Sequence, residues 1–395
     1  MTDVILTLNA GSSSIKFAAY RVGGRELAPL ATGMVDGIGG AATFSAAATG
    51  GQPDKRPIAA AGPVDHKAAL GAVMDWLYQS EQGFRIVAVG HRVVHGGPDF
   101  DQPILIDQAR LAQLRGLAPL APLHQPHNLA GVDAALHAFP HAAQVACFDT
   151  AFHRTHQFVY DTYGLPRRFY DEGIRRYGFH GLSYEFIARQ LHTAAPDLAG
   201  GRVIVLHLGN GASMCAMRAG RSVATTMGFT ALDGLPMGTR CGQIDPGVLL
   251  YLMQGKGMSA EAVSSLLYQN CGLKGMSGLS NDMRALEASA EPAAREAIDY
   301  FVARIRQEIG SLAATLDGLD AIVFTGGIGE NARNIRAAVL RGMQWLGLNL
   351  DAQANERNAP VISTPESTTR ALVIPTDEER MIAEHTARIA GLLPA

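Results

Sequence analysis

The sequence predicts an α/β protein made of two structurally related halves. Three observations carry this reading. Short apolar runs that end in Gly or polar turns alternate with stretches of helical period. A strand–turn–strand unit near the N-terminus returns with the same grammar at an offset of 211 − 11 = 200 residues. Three strand ends run into corners of small residues, where backbone N–H groups can converge on an anion.

Taken in order, residues 4–8 (VILTL) form a short branched strand, the Asn9–Ser14 corner turns it, and residues 16–22 return as a second strand. Gly23-Gly24 marks the next hairpin corner. Residues 36–65, rich in Gly and Ala with Pro53, Pro57 and Pro63, read as short strands and turns. Helical patterns fall near 66–81, 107–116, 127–138 and 291–316, and strands near 85–89, 144–148, 203–208 and 321–325. In the repeat, Val4, Ile5, Leu6 and Leu8 align with Ile204, Val205, Leu206 and Leu208, and Ser13 falls on Ser213. Residues 194–201 are a loop by composition, and the Thr325–Asn331 corner opens a helix running to about Arg341.

The 395 residues suggest two or three domains, with 47% apolar residues for their cores. A net charge of −3 and a pI near 6.5 leave no electrostatic footprint for nucleic acid or an anionic membrane. Cys147, Cys215, Cys241 and Cys271 are sparse and form no C-x-x-C pair, which predicts reduced thiols. Neither a signal-peptide pattern nor an 18-residue apolar run is present, so a cytoplasmic setting is expected.

The first corner is not a Walker A loop, because residues 9–16 do not fit G-x-x-x-x-G-K-[ST]. The second is His207-Leu208-Gly209-Asn210-Gly211. The third, at 325–331, also fits G-x-G-x-x-A (Gly327, Gly329, Ala332) with Asp351 about 24 residues on, which taken alone would suggest a dehydrogenase. Three such corners in two similar halves favour a nucleotide held between two domains. Arginines on glycine-flanked segments suit carboxylates and phosphates, since the guanidinium fork is permanently charged and bidentate. These are Arg92 in HRVVHGG, the RRYGFHG run, and Arg240 in MGTRCG, with Asp149 at the end of a strand. His124-x-x-His127 and His153-x-x-His156 could pair imidazoles, but H-E-x-x-H is absent, which weighs against a zinc hydrolase.

Nine stretches occur together: NAGSSSIKF from Asn9, HRVVHGG from His91, FDTAFH from Phe148, RYGFHG from Arg176, HLGNGAS from His207, MGTR from Met237, SGLSNDMR from Ser277, FTGGIGEN from Phe324 and PTDEE from Pro375. In this order the sequence resembles the acetate kinase (acetokinase) family, within the acetate and sugar kinase, actin and heat-shock chaperone ATPase superfamily. The resemblance implies two ribonuclease H-like domains with an interdomain active-site cleft. Residues 1–150 plus 380–395 would form the first, with the last helix returning to it, and 151–379 the second, nucleotide-binding one. It also implies a homodimer and a reversible, Mg²⁺-dependent (or Mn²⁺-dependent) in-line transfer of the ATP γ-phosphoryl group to acetate, giving acetyl phosphate and ADP. Propionate is the alternative acceptor. A nucleotide sensor on the same scaffold would have no need of Arg92, His180 and Arg240.

By the same resemblance, Arg92 and Arg240 hold acetate and the transferring group, His180 stabilises the equatorial oxygens, and Asp149 is catalytic, expected to orient an arginine or a metal-bound water rather than to act as a base. Asn9 and Glu378 form the Mg²⁺ side. Ser12, Ser14, Lys16, His207, Leu208, Gly209, Asn210, Gly211, Asp282, Met283, Arg284, Gly327, Ile328, Gly329, Glu330 and Asn331 match nucleotide-binding positions. Val94, Leu123, Phe179 and Ala231 match the acyl pocket, and His124 a further active-site imidazole. The chain departs from the family pattern at Leu182 and Tyr184 (usually small or polar), Gln125 (Asn), Ala231 (Pro) and Gln243 (Asp). The last is expected to loosen Arg240.

Overall fold

A computed structural model describes residues 2–23, 26–59, 62–80 and 84–393. Gly24 and residues 81, 394 and 395 of the readings above lie outside them. The chain divides into two compact units, Met1–Phe152 with Asp377–Ala395, and His153–Thr376.

The first unit contains β1 (Thr2–Ala10), β2 (Ser14–Gly23), β3 (Glu26–Asp36), β4 (Thr43–Ala48), β5 (Asp54–Pro57), β6 (Phe84–Val93), β7 (Ile104–Leu105) and β8 (Ala143–Phe148). They form one sheet in the order β5-β4-β3-β2-β1-β6-β8-β7. β1 and β2 are an antiparallel hairpin, while β1, β6 and β8 run parallel. Alternation sorts the strands onto two faces. Leu6, Leu8, Ile15, Phe17 and Phe44 pack with Val73, Trp76 and Leu77 of the helix His66–Ser80. On the other face Ile5, Ala18, Tyr20 and Ala88 pack with Ala383 and Ala387 of the helix Glu378–Ile389. Asp377 caps that helix by accepting from Arg380 N (2.9 Å), with Glu378 and Glu379 in its first turn and Arg388 in its last, the polarity the helix dipole favours. Its fit to β6 is close, for a Cβ on Gly90 would lie 2.2 Å from Thr386 Oγ1.

The second unit contains β9 (Arg202–Leu208), β10 (Ala212–Arg218), β11 (Arg221–Thr225), β12 (Ala321–Thr325) and β13 (Arg370–Val373), in the order β11-β10-β9-β12-β13. β9 and β10 are an antiparallel hairpin, while β9, β12 and β13 run parallel. This repeats, strand for strand, the order β3-β2-β1-β6-β8 of the first sheet. The hairpin likeness seen 200 residues apart thus reflects a shared sheet plan.

One expected helix is broken. The chain after β12 forms Gly326–Asn331 and Arg333–Leu340 rather than a single helix to Arg341. The cause is Arg336, fully buried, which donates to the carbonyls of Gly329 (2.9 Å) and Glu330 (2.7 Å) and to Asn355 Oδ1 (2.8 Å). Carbonyls that would extend the first helix are satisfied by a guanidinium instead. The last helix ends at Ile389 rather than running to the C-terminus, because Gly391 turns the chain at φ 68°.

Candidate active site

In the first unit the site forms at the carboxyl ends of adjacent parallel strands, the usual position for ligands in α/β sheets. Arg92 lies near the end of β6 and Asp149 directly follows β8. Arg92 Nε donates to Asp149 Oδ1 (2.9 Å) and Nη2 to Oδ2 (2.7 Å), a two-point pair, while Nη1 stands 3.3 Å from Glu378 Oε2. Asp149 is buried and the side chains of Arg92 and Glu378 nearly so. Burial opposes the charge of Arg92, but Asp149 and Glu378 outweigh it and raise the pKa above the ordinary guanidinium value. Glu379, by contrast, is pushed up by burial and by Glu378 beside it.

The segment after β6 is pinned from several sides. Val94 N donates to Asn128 Oδ1 (2.9 Å), and Gly96 N to Thr150 Oγ1 (3.0 Å). Gln125 exchanges bonds with the His95 backbone (3.2 and 3.1 Å), so this departure from the family pattern acts as a clamp. Val94 is buried, Leu123 is 38% exposed, and His124 opens the helix Gln125–Ala138. His91 points elsewhere: its Nε2 meets Gln144 Oε1 at 2.8 Å, and burial pushes its pKa down to about 4, so it stays neutral.

At the first corner Gly11 N donates to Ser14 O (2.7 Å), and Ser13 O accepts from Gly37 N and Ile38 N (2.9 Å each). The Gly11 N–H therefore closes the turn itself. Ser12 is exposed, Ser14 half-buried, and Asn9 pairs across the hairpin with Lys16. Exposed Lys16 lines a cleft of about 500 Å³ with Tyr20, Asp377 and Glu379.

In the second unit His180 is set at the start of the helix Gly181–Ala194 in a left-handed conformation, φ 58°. That conformation is uncommon for a side-chain-bearing residue and is a feature of functional positions. The approach is fixed by Gly178 (φ 71°), where a Cβ would lie 2.5 Å from Thr225 Cγ2. Tyr177 N and Gly178 N both donate to Gly228 O (3.0 and 3.2 Å). Phe179 is buried, and its carbonyl stands 3.0 Å from His153 Nε2. His180 Nδ1 lies 2.8 Å from Ser213 Oγ, and its ring stacks on His207 with centroids 4.3 Å apart.

Arg240 Nη1 donates to Ala231 O (2.9 Å). A Cβ built on Gly211 would lie 3.2 Å from His180 Nε2 and 3.6 Å from Arg240 Nη2, so both side chains face the space this glycine leaves open. The loop carrying Arg240 is held by Met237 N donating to Arg240 O and Cys271 N to Thr239 O (3.0 Å each). Gln243, where the family pattern has a carboxylate, turns to Arg304, its Oε1 accepting from Arg304 Nη2 (2.5 Å).

The two remaining corners lie side by side because β9 and β12 are neighbours, with Thr325 opposite His207. Gly209 stands so close that a Cβ there would meet Gly327 N at 4.0 Å. Asn210 O accepts from Gly238 N (3.0 Å) and its Oδ1 from Asn281 Nδ2 (3.1 Å). Glu330 Oε1 accepts from Gly326 N (2.9 Å) and Thr376 N (3.2 Å), and Asn331 Nδ2 donates to Gly327 O (2.9 Å). Gly327 and Asn331 are exposed and Ile328 half-buried. Leu208, Met283 and Gly329 are buried, so their side chains or Cα atoms face the interior. Asp282 caps the helix Met283–Glu287 and also pairs with exposed Arg284 (2.7 Å). Sequence reading gave no role to Ser183, Ser213 or Thr376 and treated Tyr184 only as a departure. The signals that touched them were the repeated hairpin, which sets Ser213 on Ser13, and the PTDEE stretch that carries Thr376.

Among the described residues no group of three or more His, Cys, Asp or Glu is arranged to hold a metal, and no helix is long and apolar enough to cross a membrane. Two sheets of one strand plan, each with a hairpin turned at a glycine corner, define the α/β class of acetate and sugar kinases and actin. Solved structures agree: acetate kinase of Porphyromonas gingivalis (36% identity, 98% of this chain and 99% of that one, TM-score 0.88) and a propionate kinase of Francisella tularensis (36%, 98% and 100%, TM-score 0.90). The chain belongs to the acetokinase family. That family's sequence model matches residues 4–384, and the acetate kinase of Methylocella silvestris is 56% identical over the full length of both chains.

Proposed function

We infer that the protein is an acetate kinase, transferring the γ-phosphoryl group of ATP reversibly to acetate to give acetyl phosphate and ADP. The observation that carries this is full-length kinship with acetate kinases, joined to the convergence of His180 and Arg240 on the space beside Gly211. Acetate is already an anion at neutral pH, so no base is needed to make the nucleophile. The difficulty is electrostatic, and phosphoryl transfer is chiefly positioning and charge neutralisation. In this reading Arg92 and Arg240 hold the acceptor and the migrating group, and His180 donates to its equatorial oxygens. Asp149 fixes the fork of Arg92 rather than moving a proton. The corners Ser12–Ser14 with Lys16, 207–211, 282–284 and 327–331 bind the nucleotide, and His124 flanks the acceptor.

Two carboxylates, Asp149 and Glu378, stand around Arg92 and bring the hard oxygen donors that Mg²⁺ takes. Asn9 and Glu378 would hold the ion, with water and substrate phosphates completing its shell. When bound it neutralises charge on the phosphates. The setting proposed is cytoplasmic. The helix Pro246–Gln254 buries none of its residues and exposes Val248, Leu250, Tyr251 and Met253, which supports a homodimer through that face. Sedimentation at twice the chain mass, lost in Tyr251→Glu, tests this; a monomeric parent refutes it.

Hydroxylamine trapping tests the activity. With ATP, Mg²⁺ and acetate, acetohydroxamate accumulates; no product from either acetate or propionate refutes the reading. Val94, Leu123, Phe179 and Ala231 would line the acyl pocket, and Ala231 leaves more room than the usual proline. Propionate is therefore a real but poorer substrate, its kcat/KM lower by about 10–200-fold, the value of one methylene. Faster turnover of propionate would favour a propionate kinase, the activity of the F. tularensis relative.

A further inference from the structure

His180 and His207 stack with their planes 20° apart, and each is held from behind at Nδ1. Ser213 Oγ lies 2.8 Å from His180 Nδ1, and the Tyr184 hydroxyl lies 2.5 Å from that same Ser213 Oγ. Ser183 Oγ lies 2.8 Å from His207 Nδ1, and Thr376 Oγ1 donates to Ser183 Oγ at 2.9 Å. Two parallel chains of hydroxyl, serine and imidazole thus leave both Nε2 atoms on the far side of the rings. Tyr184, Ser183 and Ser213 are fully buried, where an unsatisfied hydroxyl would be costly.

The order of donors along the first chain follows from acidity. A phenol, with an ordinary pKa near 10, is a better donor and a poorer acceptor than an aliphatic hydroxyl. Tyr184 donates to Ser213. The single Ser213 proton then goes to His180 Nδ1, and the imidazole proton is left on Nε2, the nitrogen nearest the space beside Gly211. The groups facing the ring include the Arg240 guanidinium, stacked His207 and the Tyr184–Ser213 pair, with His153 one residue away at the Phe179 carbonyl.

We propose that Tyr184 is a positioning residue which, through Ser213, holds His180 as its Nε2–H tautomer, so that the ring donates to the migrating phosphoryl group whether or not it is charged. This rests on the role of His180 given above and supplies what sets its orientation. Tyr184 touches no substrate and acts only through the serine. Its position on the helix Gly181–Ala194, four residues after His180, brings the hydroxyl under the ring that the same helix start presents.

The test compares Tyr184→Phe, which removes one oxygen, with Ser213→Ala and His180→Ala in the hydroxamate assay, with thermal melts as a check on folding. Both relay variants should lose about tenfold to a hundredfold in kcat, the range for groups that orient a histidine through its second nitrogen, with little change in KM. Their kcat should also fall more steeply toward alkaline pH than the parent's, because a neutral imidazole not held in one tautomer does not keep its proton on Nε2. In a His180→Ala background, Tyr184→Phe should cost nothing more. Parent-like kcat and pH profile in both relay variants, or a full additional loss in the double variant, overturns the proposal. If His180→Ala itself turns over normally, the failure lies with the role of His180 and not with the relay alone.

Discussion

Arg92→Ala and Arg240→Ala are each expected to lower kcat about a thousandfold or more, the scale on which arginines act in phosphoryl transfer. The reasoning differs for the two. Arg92 is locked by two carboxylates and cannot swing to find another partner. Its removal also takes away the cation between Asp149 and Glu378, so the potential becomes more negative where an anion must approach. Arg92→Lys restores charge but not the two-point contact with Asp149, and should recover only a small part of the loss. Arg240 has one guanidinium nitrogen on the Ala231 carbonyl and another facing the Gly211 space. Hydroxamate formation measured at saturating acetate and ATP decides the matter. Near-parental kcat in either alanine variant would remove that arginine from the mechanism.

Gly211→Ala is the second large effect. The added methyl would sit 3.2 Å from His180 Nε2 and 3.6 Å from Arg240 Nη2, filling the space both side chains face. Displacement of a reacting group by about 1 Å can cost on the order of a hundredfold in rate, and a loss of that size in kcat is expected. Gly211 does not have a positive φ, so alanine is conformationally allowed and the melting temperature should hold. That separates it from Gly178→Ala, which would strain the backbone and collide with Thr225 and His153. Gly200→Ala, on a surface loop with nothing within 4 Å, is the matched control. Unchanged kcat in Gly211→Ala would mean that the phosphoryl group does not pass there.

Much of this fold could be read from the sequence because it rests on local patterns. Apolar strands ending in glycine corners marked β1, β9 and β12, and the offset hairpins foretold two sheets of one plan. The helix break at Ala332 could not be read, since its cause is a guanidinium held by residues up to 22 positions away in the chain (Arg336 to Asn358). The GGIGEN helix also runs against intrinsic propensity and exists through tertiary contacts. Among site residues, types were legible and partnerships were not. Asp149 was marked by its place after a strand, but its contact with Arg92 spans 57 residues. The partner of Gln243 was hidden for the same reason, because Arg304 reaches it from the helix Pro292–Thr315, 61 residues on. Tyr184 sits only four residues after His180, yet their coupling runs through a serine on β10.

The helix Glu378–Ile389, seated against Gly90, has a consequence for how the protein is made. It is synthesised after the second unit, yet the sheet it covers is complete once β8 has emerged, with residues 153–376 still to come. At 5–20 residues per second the ribosome needs roughly 10–45 s to add them. Throughout that interval the face bearing Ile5, Ala18 and Ala88 lacks its lid. The uninterrupted second unit can mature first, while the earlier one waits on residues 378–389, inviting chaperones to shield the nascent chain.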